Sequence, residues 1–415
     1  MYKYVLVLFL VCSINISLGV ERITYEGFKG ISVTGEKDLL EKVRIAFEGH
    51  EGIIFLEEIN NEHNYLVSPN YVHKFETEVL KNNLQLDLVH EDFSKIIELE
   101  NKSVKLIKGD KLTWNAYYDV DTIYKYLNEM SDKYPNTTKL VKGGESYEGR
   151  PILGLRVMTP YEEDMEKPAI FIESGIHARE WITPATTTYF INQLVTSSDP
   201  DMIHLREKFD WHIFPTVNPD GYHYSHTVDR FWRKTRSRSD NGCFGADPNR
   251  NWDHNWNEFG TSDNPCDYQV FAGKTPFSEI ETKSLSGYIT GVRNLMVYLA
   301  YHADAQMLLV PYSDSVDHED NYDDLVKIGK TSIEYGERVN GAKYRGPGTA
   351  AEIIYKASGG SMDWVREALA TPIVYTYELR GRYFHWPPHR IPEQGEEVAQ
   401  MIVGLVAEAE NMKYL

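Results

Sequence analysis

Five short apolar runs between residues 152 and 378 constrain the fold of this chain more than any other feature. They occupy residues 152–157, 169–173, 211–217, 296–302 and 373–378. Short runs without strict alternation are typical of strands buried on both faces of a sheet. Helical patterns lie between or after them, at 183–195, 322–339 and 398–409. This order predicts an α/β domain with a mostly parallel, mixed and twisted sheet and helices on both faces.

A smaller α+β unit precedes this domain. Residues 31–33, 53–56 and 84–89 read as strands, and apolar side chains at helical spacing mark helices at 39–47 and 75–80. Alternating strands and helices in so short a segment predict a small, ferredoxin-like α+β sandwich. Charged residues are frequent from 91 to 111. We therefore expect that stretch to be exposed and open to proteases of tryptic type.

The larger domain begins near Trp114. We predict that its first helix carries Ile123, Leu127 and Met130 on one face, with Asp121 as its N-cap. The predicted organisation is then a leader at 1–19, a small α+β segment at 20–111 and a large α/β domain at 112–415.

The net charge limits the possible partners. Of the 415 residues, 62 are acidic and 43 are basic, which gives a formal net charge of −19. So acidic a surface repels a phosphate backbone, and we expect no nucleic-acid partner.

The N-terminus is typical of a secretory signal peptide. Lys3 precedes an apolar run from Val5 to Cys12, and Gly19 marks a plausible cleavage site. The alternative is a buried first strand. The run is much shorter than the roughly 20 residues that a membrane-spanning helix needs, so we expect no membrane anchor.

The cysteines fit export into an oxidising compartment. If Cys12 leaves with the leader, Cys243 and Cys266 remain, and each has only the other as a disulfide partner. Two free thiols are the alternative.

Polar residues that follow two of the predicted strands indicate a metal site. His177 and Glu180 follow the run at 169–173, and His302 ends the run at 296–302. Ligands bind at the carboxyl ends of strands in such sheets. Two His and one Glu are the ligand set of an open catalytic zinc site, with water in the fourth place. The alternative is a surface His and a helix-capping Glu.

The chain resembles the secreted metallocarboxypeptidases of the A/B branch over nearly its whole length. The motifs that carry the resemblance are ESYEGRP at 145–151, GIHAREW at 175–181, NPDGY at 218–222, WRKTR at 232–236, DPNRNW at 247–252, YKASGGS at 355–361 and YELR at 377–380. The resemblance implies that the enzyme is monomeric and binds one Zn²⁺ per chain through His177, Glu180 and His302. It also implies that Asp247 holds His177 in its ligating tautomer.

The resemblance also implies the roles of two catalytic residues. Glu378 matches the general base that takes a proton from the attacking water and passes it to the leaving amine. Its alternative is a buried salt bridge with Arg380. Arg233 matches the residue that stabilises the developing oxyanion. Its alternative is a solvated face formed by the basic run 233–238.

The substrates implied by the resemblance are peptides and proteins with a free C-terminus. Asn249 and Arg250 match a clamp for the terminal carboxylate, which Arg can grip with two parallel hydrogen bonds. Tyr355 matches a mobile tyrosine that closes over the substrate, and Arg179 a further cationic subsite. Tyr355 could instead be an ordinary packed aromatic residue.

The residue at the pocket floor sorts substrates in this family, and here it is Met362. An apolar, adaptable side chain favours aliphatic or aromatic C-terminal residues over the Lys or Arg that a B-type enzyme takes. Ser313 and Ala350 are also expected in the pocket.

Two departures from the family pattern concern the rim of the cleft. Ala303-Asp304 replaces the usual Ser and aromatic residue after His302, and the segment that follows Arg380 is shorter than usual. Asp304 brings a negative charge towards the subsites upstream of the scissile bond. A surface substitution without kinetic effect is the alternative.

By resemblance, residues 20–111 are an activation segment that shields the cleft until a trypsin-like protease cuts, preferably at Lys111, with Lys108 as the second choice. The implied partners therefore include this protease and proteinaceous carboxypeptidase inhibitors. The implied location is extracellular, in a digestive lumen. A homologue that binds peptides without catalysis is the remaining alternative.

Overall fold

The structure is a computed structural model that describes residues 22–50, 52–59, 61–106, 111–161 and 167–415. The expected leader at 1–19 and the second-choice cleavage residue Lys108 lie outside these residues. None of the described helices combines the length and apolar character that crossing a membrane requires.

The N-terminal module, residues 22–106, contains a four-stranded antiparallel sheet with the strand order β2-β3-β1-β4. Its elements are β1 (Lys29–Thr34), α1 (Lys37–Ala46), β2 (Ile53–Ile59), β3 (Glu62–Val67), a 3₁₀ turn (Pro69–Tyr71), α2 (Val72–Lys81), β4 (Gln85–His90) and α3 (Phe93–Leu106). Both α1 and α2 pack on the sheet through Leu40, Val43, Phe75 and Val79. The expected strands and helices are present, in the arrangement of a ferredoxin-like sandwich.

Two features of this module differ from the sequence-based expectations. Strand β3 was not predicted, because polar His63 and Asn64 occupy buried positions in it. Helix α3, which was not predicted, occupies residues 93–106 of the stretch expected to be exposed. Glu100 on this helix is only 1% exposed and Phe93 is buried, whereas its other described side chains are partly or fully exposed. Lys111, beyond this helix, is exposed as expected.

The larger domain is built on an eight-stranded mixed sheet with the order β11-β10-β12-β9-β7-β8-β6-β5. Its elements are α4 (Val120–Lys133), β5 (Thr138–Glu145), β6 (Pro151–Val157), β7 (Ala169–Ser174), α5 (Ile182–Thr196), α6 (Pro200–Lys208), β8 (Asp210–Phe214), α7 (Pro219–Thr227), α8 (Ile280–Thr290), β9 (Leu295–Ala303), β10 (Met307–Val310), α9 (Tyr322–Asn340), β11 (Arg345–Thr349), α10 (Ala350–Ile353), α11 (Ser361–Leu369), β12 (Ile373–Leu379), a 3₁₀ turn (Pro388–Arg390) and α12 (Ile391–Asn411).

The predicted fold class is confirmed. The four central strands β12, β9, β7 and β8 run parallel, and antiparallel partners flank them. Helices cover both faces, because neighbouring residues of β7 enter different cores: Ile170 and Ile172 pack in one, and Phe171 in the other. The five predicted strands are all present. Strands β5, β10 and β11 were not predicted, and the N-cap of α4 is Asp119 rather than Asp121.

The parallel strands bring the expected site residues to one edge of the sheet. Strand β9 lies between β7 and β12, and His302 pairs in register with Glu378. His177 and Glu180 follow the end of β7. The carboxyl ends of parallel strands form the usual ligand-binding edge, so these side chains meet there.

Candidate active site

Three buried donor atoms converge at this edge. His177 Nδ1 lies 2.8 Å from Glu180 Oε1 and 3.2 Å from His302 Nδ1, and His302 Nδ1 lies 3.4 Å from Glu180 Oε2. All three side chains are at most 4% exposed. The surface-His alternative is therefore wrong. Burial acts to raise the pKa of Glu180, but the two imidazoles outweigh it and lower that pKa.

This donor set fits a divalent metal ion. The carboxylate of Asp247 lies 3.1 Å from His177 Nε2, so that nitrogen carries the proton and leaves Nδ1 free to act as a ligand. Two imidazole nitrogens facing each other beside a carboxylate are typical of an open zinc site.

Asp247 links the donor set to Arg233. Its Oδ2 accepts hydrogen bonds from Arg233 Nη2 at 2.8 Å and Nε at 3.1 Å. Burial acts to raise the pKa of Asp247, but the charges of Arg233 and His177 hold that pKa well below its usual value. Arg233 Nη1 lies 3.9 Å from Glu180. The solvated-face alternative is wrong for Arg233, whose side chain is 11% exposed and bound on the cleft side.

Glu378 stands beside this group without a salt bridge among the described residues. Arg380, its alternative partner, pairs instead with Glu393 and Glu397 at 2.9 and 2.5 Å. Burial raises the pKa of Glu378 well above its usual value, and the carboxylates of Glu180 and Asp304 add to this effect.

The residues expected to grip a terminal carboxylate also meet in the cleft. Arg250 Nη2 donates to the Tyr355 hydroxyl at 3.2 Å, and Arg250 Nε donates to the carbonyl of Gly260 at 3.0 Å. Asn249 Oδ1 accepts from the backbone NH of Ser361 at 3.0 Å. Tyr355 is only partly buried. Contacts of this kind orient a guanidinium before it meets an anion.

The expected specificity pocket has an apolar floor. Met362 is 4% exposed, and the Thr376 hydroxyl lies 3.3 Å from its sulfur. Residues that line the same region of the cleft are Met307, Leu309, Ser313 and Ala350.

One continuous cavity of about 880 Å³ is lined by the three donors and by Arg233, Glu378, Arg250, Tyr355 and Met362. Its opposite wall comes from β2 of the N-terminal module. Arg179 Nη2 donates to the Leu56 carbonyl at 3.0 Å, and Gln269 Nε2 donates to the Phe55 carbonyl at 2.9 Å. Glu57 of β2 reaches Asp304, and burial beside this carboxylate raises the pKa of Glu57 well above its usual value.

Asp304 and the short segment after Arg380, which both depart from the family pattern, are hydrogen-bonded to each other at the rim of the cleft. Asp304 is 4% exposed, and its Oδ2 accepts from the backbone NH of Phe384 at 2.9 Å. Phe384 belongs to the short segment after Arg380, and its ring lies under the Arg179 guanidinium at 4.0 Å. Asp304 is therefore a buried residue and not a surface one.

A disulfide joins Cys243 and Cys266, as expected. Cys266 lines the cavity. The two-thiol alternative does not hold in this structure.

A charge cluster that docks the N-terminal module was not predicted from the sequence. Glu100 on α3 pairs with Arg230 at 2.8 Å and lies 2.8 Å from His385. These partners lie 130 and 285 residues away along the chain. A charged helix without a known partner carries no local signal of such a contact.

The fold and the buried donor set place the chain among metal-dependent hydrolases of α/β architecture. Similarity to known proteins identifies the family within this class. A family profile described as "Zinc carboxypeptidase" matches residues 123–401. A zinc carboxypeptidase of Simulium vittatum is 44% identical over 304 residues, which cover 72% of this chain and 98% of that protein.

Two solved structures are also similar. The carboxypeptidase A from Helicoverpa armigera has a TM-score of 0.83 at 30% identity, covering 94% of this chain and 99% of that one. Bovine thrombin-activatable fibrinolysis inhibitor in complex with tick carboxypeptidase inhibitor has a TM-score of 0.65 at 29% identity, covering 72% and 99%. The chain belongs to the zinc carboxypeptidase family and is a zinc carboxypeptidase.

Proposed function

We propose that this chain is a secreted exopeptidase zymogen that removes single apolar residues from the C-terminus of peptides and proteins. The observation that carries the proposal is the single cavity in which the donors His177, Glu180 and His302, the Arg250 clamp and the Met362 floor lie together. An enzyme of this type has to read a terminal carboxylate and a side chain at a fixed distance from the scissile bond.

His177, Glu180 and His302 would hold the zinc ion. Bound there, zinc would polarise the scissile carbonyl and activate water. The contact between Asp247 and His177 fixes the imidazole, so the donor geometry is set before substrate arrives.

Glu378 would move the proton in this mechanism. Its raised pKa lets it take a proton from the attacking water and hand it to the leaving amine. Arg233, held by two hydrogen bonds to Asp247, would stabilise the negative charge that develops on the carbonyl oxygen.

Arg250, Asn249 and Tyr355 would bind the terminal carboxylate. Arg179, now engaged by the Leu56 carbonyl, would contact the upstream part of the peptide. The floor around Met362 would take an aliphatic or aromatic side chain, since apolar side chains surround it. A B-type enzyme would need an acidic residue at this floor, whereas the side chain of Met362 is uncharged.

The N-terminal module would act as the activation segment, with cleavage at exposed Lys111. Strand β2 stands where the substrate would lie, because its carbonyls engage cleft residues. The Cys243–Cys266 disulfide supports secretion into an oxidising compartment such as a digestive lumen. A proteinaceous inhibitor remains a further partner, since a similar enzyme is seen in complex with one.

The test is residue release by the trypsin-treated chain from paired peptides that end in Phe or Lys. We expect single-residue release with preference for Phe, loss of activity with a chelator, and recovery with zinc. Activity that survives complete zinc removal would contradict the proposal. Preference for Lys would favour the B-type alternative, and a trypsin-treated, zinc-loaded chain that binds peptide but does not cut it would favour the non-catalytic one.

A further inference from the structure

A second group of potential metal donors lies outside the cleft, behind the floor of the specificity pocket. His254, Asp314 and Asp363 each offer one donor atom, and these atoms all lie within 4.8 Å of one another. His254 Nε2 is 3.2 Å from Asp314 Oδ2. Their neighbours Ser313 and Met362 line the cleft, whereas these three described residues do not.

Two polar atoms of this group, one on Asp363 and one on His254, have no hydrogen-bond partner among the described residues. Asp363 is fully buried, and its Oδ2 accepts from the backbone NH of Ser313 at 2.9 Å, but its Oδ1 has no partner. His254 Nε2 also forms no hydrogen bond of acceptable geometry. A buried polar atom without a partner is destabilising, and such atoms are rare in folded proteins.

The group is also short of positive charge. Asp314 is 4% exposed and pairs only with His254, and no Lys or Arg in the described part of the chain forms an ion pair with either carboxylate. Asn255 Nδ2 donates to Asp314 Oδ2 at 2.5 Å, which satisfies one oxygen but adds no charge. Burial raises the pKa of Asp363 to about 7. Two buried carboxylates with one imidazole therefore favour binding of a cation.

We propose that His254, Asp314 and Asp363 form a second site for a divalent metal ion of the zinc type. One imidazole and two carboxylates are ligands that such an ion accepts. The His254 side chain is 10% exposed, so water can reach the remaining coordination position from that side.

The ion would brace the floor of the pocket rather than take part in the reaction. The three ligands come from three segments that each carry pocket residues: His254 follows Asn249 and Arg250, Asp314 follows Ser313, and Asp363 follows Met362. The Tyr312 ring stacks on His254 at 5.3 Å and holds its plane. An ion shared by these segments would fix their spacing.

The test is the zinc content of the uncleaved full-length chain, stripped with a chelator, re-equilibrated with Zn²⁺ and desalted. We expect two zinc ions in the wild type, one in H254N and in D314N, one in H302N and none in the H254N/H302N double variant. H318N is the matched control, since exposed His318 lies 3.3 Å from Glu352 and no third donor joins this pair in the described part of the chain. It should keep two ions.

A second measurement covers the case in which a variant does not fold. A crystal of the wild-type chain grown with Zn²⁺ should show a zinc-edge anomalous peak between the three side chains. One ion in the wild type with none in H302N, or no such peak, would overturn the second site and leave the proposed function intact. Two ions retained in folded H254N and D314N would also overturn it.

Discussion

The two walls of the cleft are held in place in different ways. The catalytic wall consists of side chains at the ends of adjacent parallel strands, so His302 and Glu378 sit in register within one sheet. The opposite wall, β2, belongs to a separate sheet with its own core. The first wall cannot move without disturbing the core of its domain, whereas the second depends on interfacial contacts alone.

Those interfacial contacts combine hydrogen bonds, a buried ion pair and an apolar cluster. Backbone carbonyls of β2 accept from Arg179 and Gln269, and Glu100 on α3 pairs with Arg230 and His385. A mixed apolar cluster that includes Tyr25, Phe93, Phe231 and Tyr383 lies around them. On the proposed function, the chemistry would lie in the rigid wall and latency in the detachable one. The following experiments test this distinction.

The largest effect should come from Glu378→Gln in the catalytic wall. The amide keeps the shape but cannot take a proton, so we expect kcat of the cleaved enzyme to fall by about 10²- to 10⁴-fold. Zinc content, measured after desalting, should not change, because the donor set is untouched.

Glu281→Gln is the matched control for this variant. Glu281 is also a buried carboxyl group, and burial raises its pKa to about 8, but it lies outside the cleft, where it accepts from the Tyr147 backbone NH. This control should keep its activity. An active Glu378→Gln enzyme would show that the proton passes through another group.

The next largest effect should come from Glu100→Gln in the uncleaved chain. Removing one member of a buried ion pair costs about 3–5 kcal/mol, because its partner stays buried and uncompensated. We expect β2 to leave the cleft more often, so that the uncleaved variant hydrolyses a small peptide at least roughly 100-fold faster than the uncleaved wild type.

Glu62→Gln tests whether any charge between the two walls would have the same effect. Glu62 also pairs across the interface, with Arg382 at 2.7 Å, but both side chains are partly exposed. Exposed pairs contribute little, so this variant should stay latent. Equal latency of folded Glu100→Gln and wild type would mean that α3 does not hold the second wall.

Acid should weaken the same contact by a similar amount. Burial acts to raise the pKa of Glu100, but Arg230 and His385 outweigh it and lower that pKa from 4.5 to about 2. A lowered pKa means that the stabilisation is present above about pH 4.5 and is lost as the pH falls towards 2. The contribution is about 3 kcal/mol.

Thermal unfolding of the uncleaved chain can measure this loss. The wild type should have the higher Tm, and its difference from Glu100→Gln should be largest near neutral pH. This difference should become smaller as the pH falls below about 4.5. A difference that stays constant down to pH 2 would show that the ionised form of Glu100 does not stabilise the docked module.

The two walls also differ in how far the sequence predicts them. Strands β7, β9 and β12 are continuous apolar runs, and polar residues at their ends come together once the strands pair in parallel. That reasoning, with the family resemblance, brings His177, Glu180, His302 and Glu378 together. Strands β10 and β11 were not predicted, because β10 is very short and β11 contains Gly and Pro.

The contacts that dock the second wall could not be predicted from the sequence in the same way. Glu100 lies in a segment whose charges indicate exposure, and only the distant Arg230 and His385 make its burial possible. Likewise Asp304 reads as a surface residue until Phe384 supplies its hydrogen bond. Buried charges satisfied across long sequence separations leave no local periodicity.

The smallest predicted effect concerns the floor of the catalytic wall and should not depend on the second wall at all. Met362→Asp places a carboxylate among apolar neighbours such as Leu309 and Ala350, where it needs a cationic partner. A C-terminal Lys or Arg supplies one, so the kcat/KM ratio for Lys over Phe should rise by about 30-fold, or ~2 kcal/mol.

The control variant Met362→Leu, nearly equal in volume, should keep the preference for Phe. On the proposed function, cleavage removes the N-terminal wall, so the shift should be the same in the trypsin-cleaved enzyme and in uncleaved Glu100→Gln. A shift seen in only one of the two would mean that the N-terminal module shapes the pocket and that the walls are not independent.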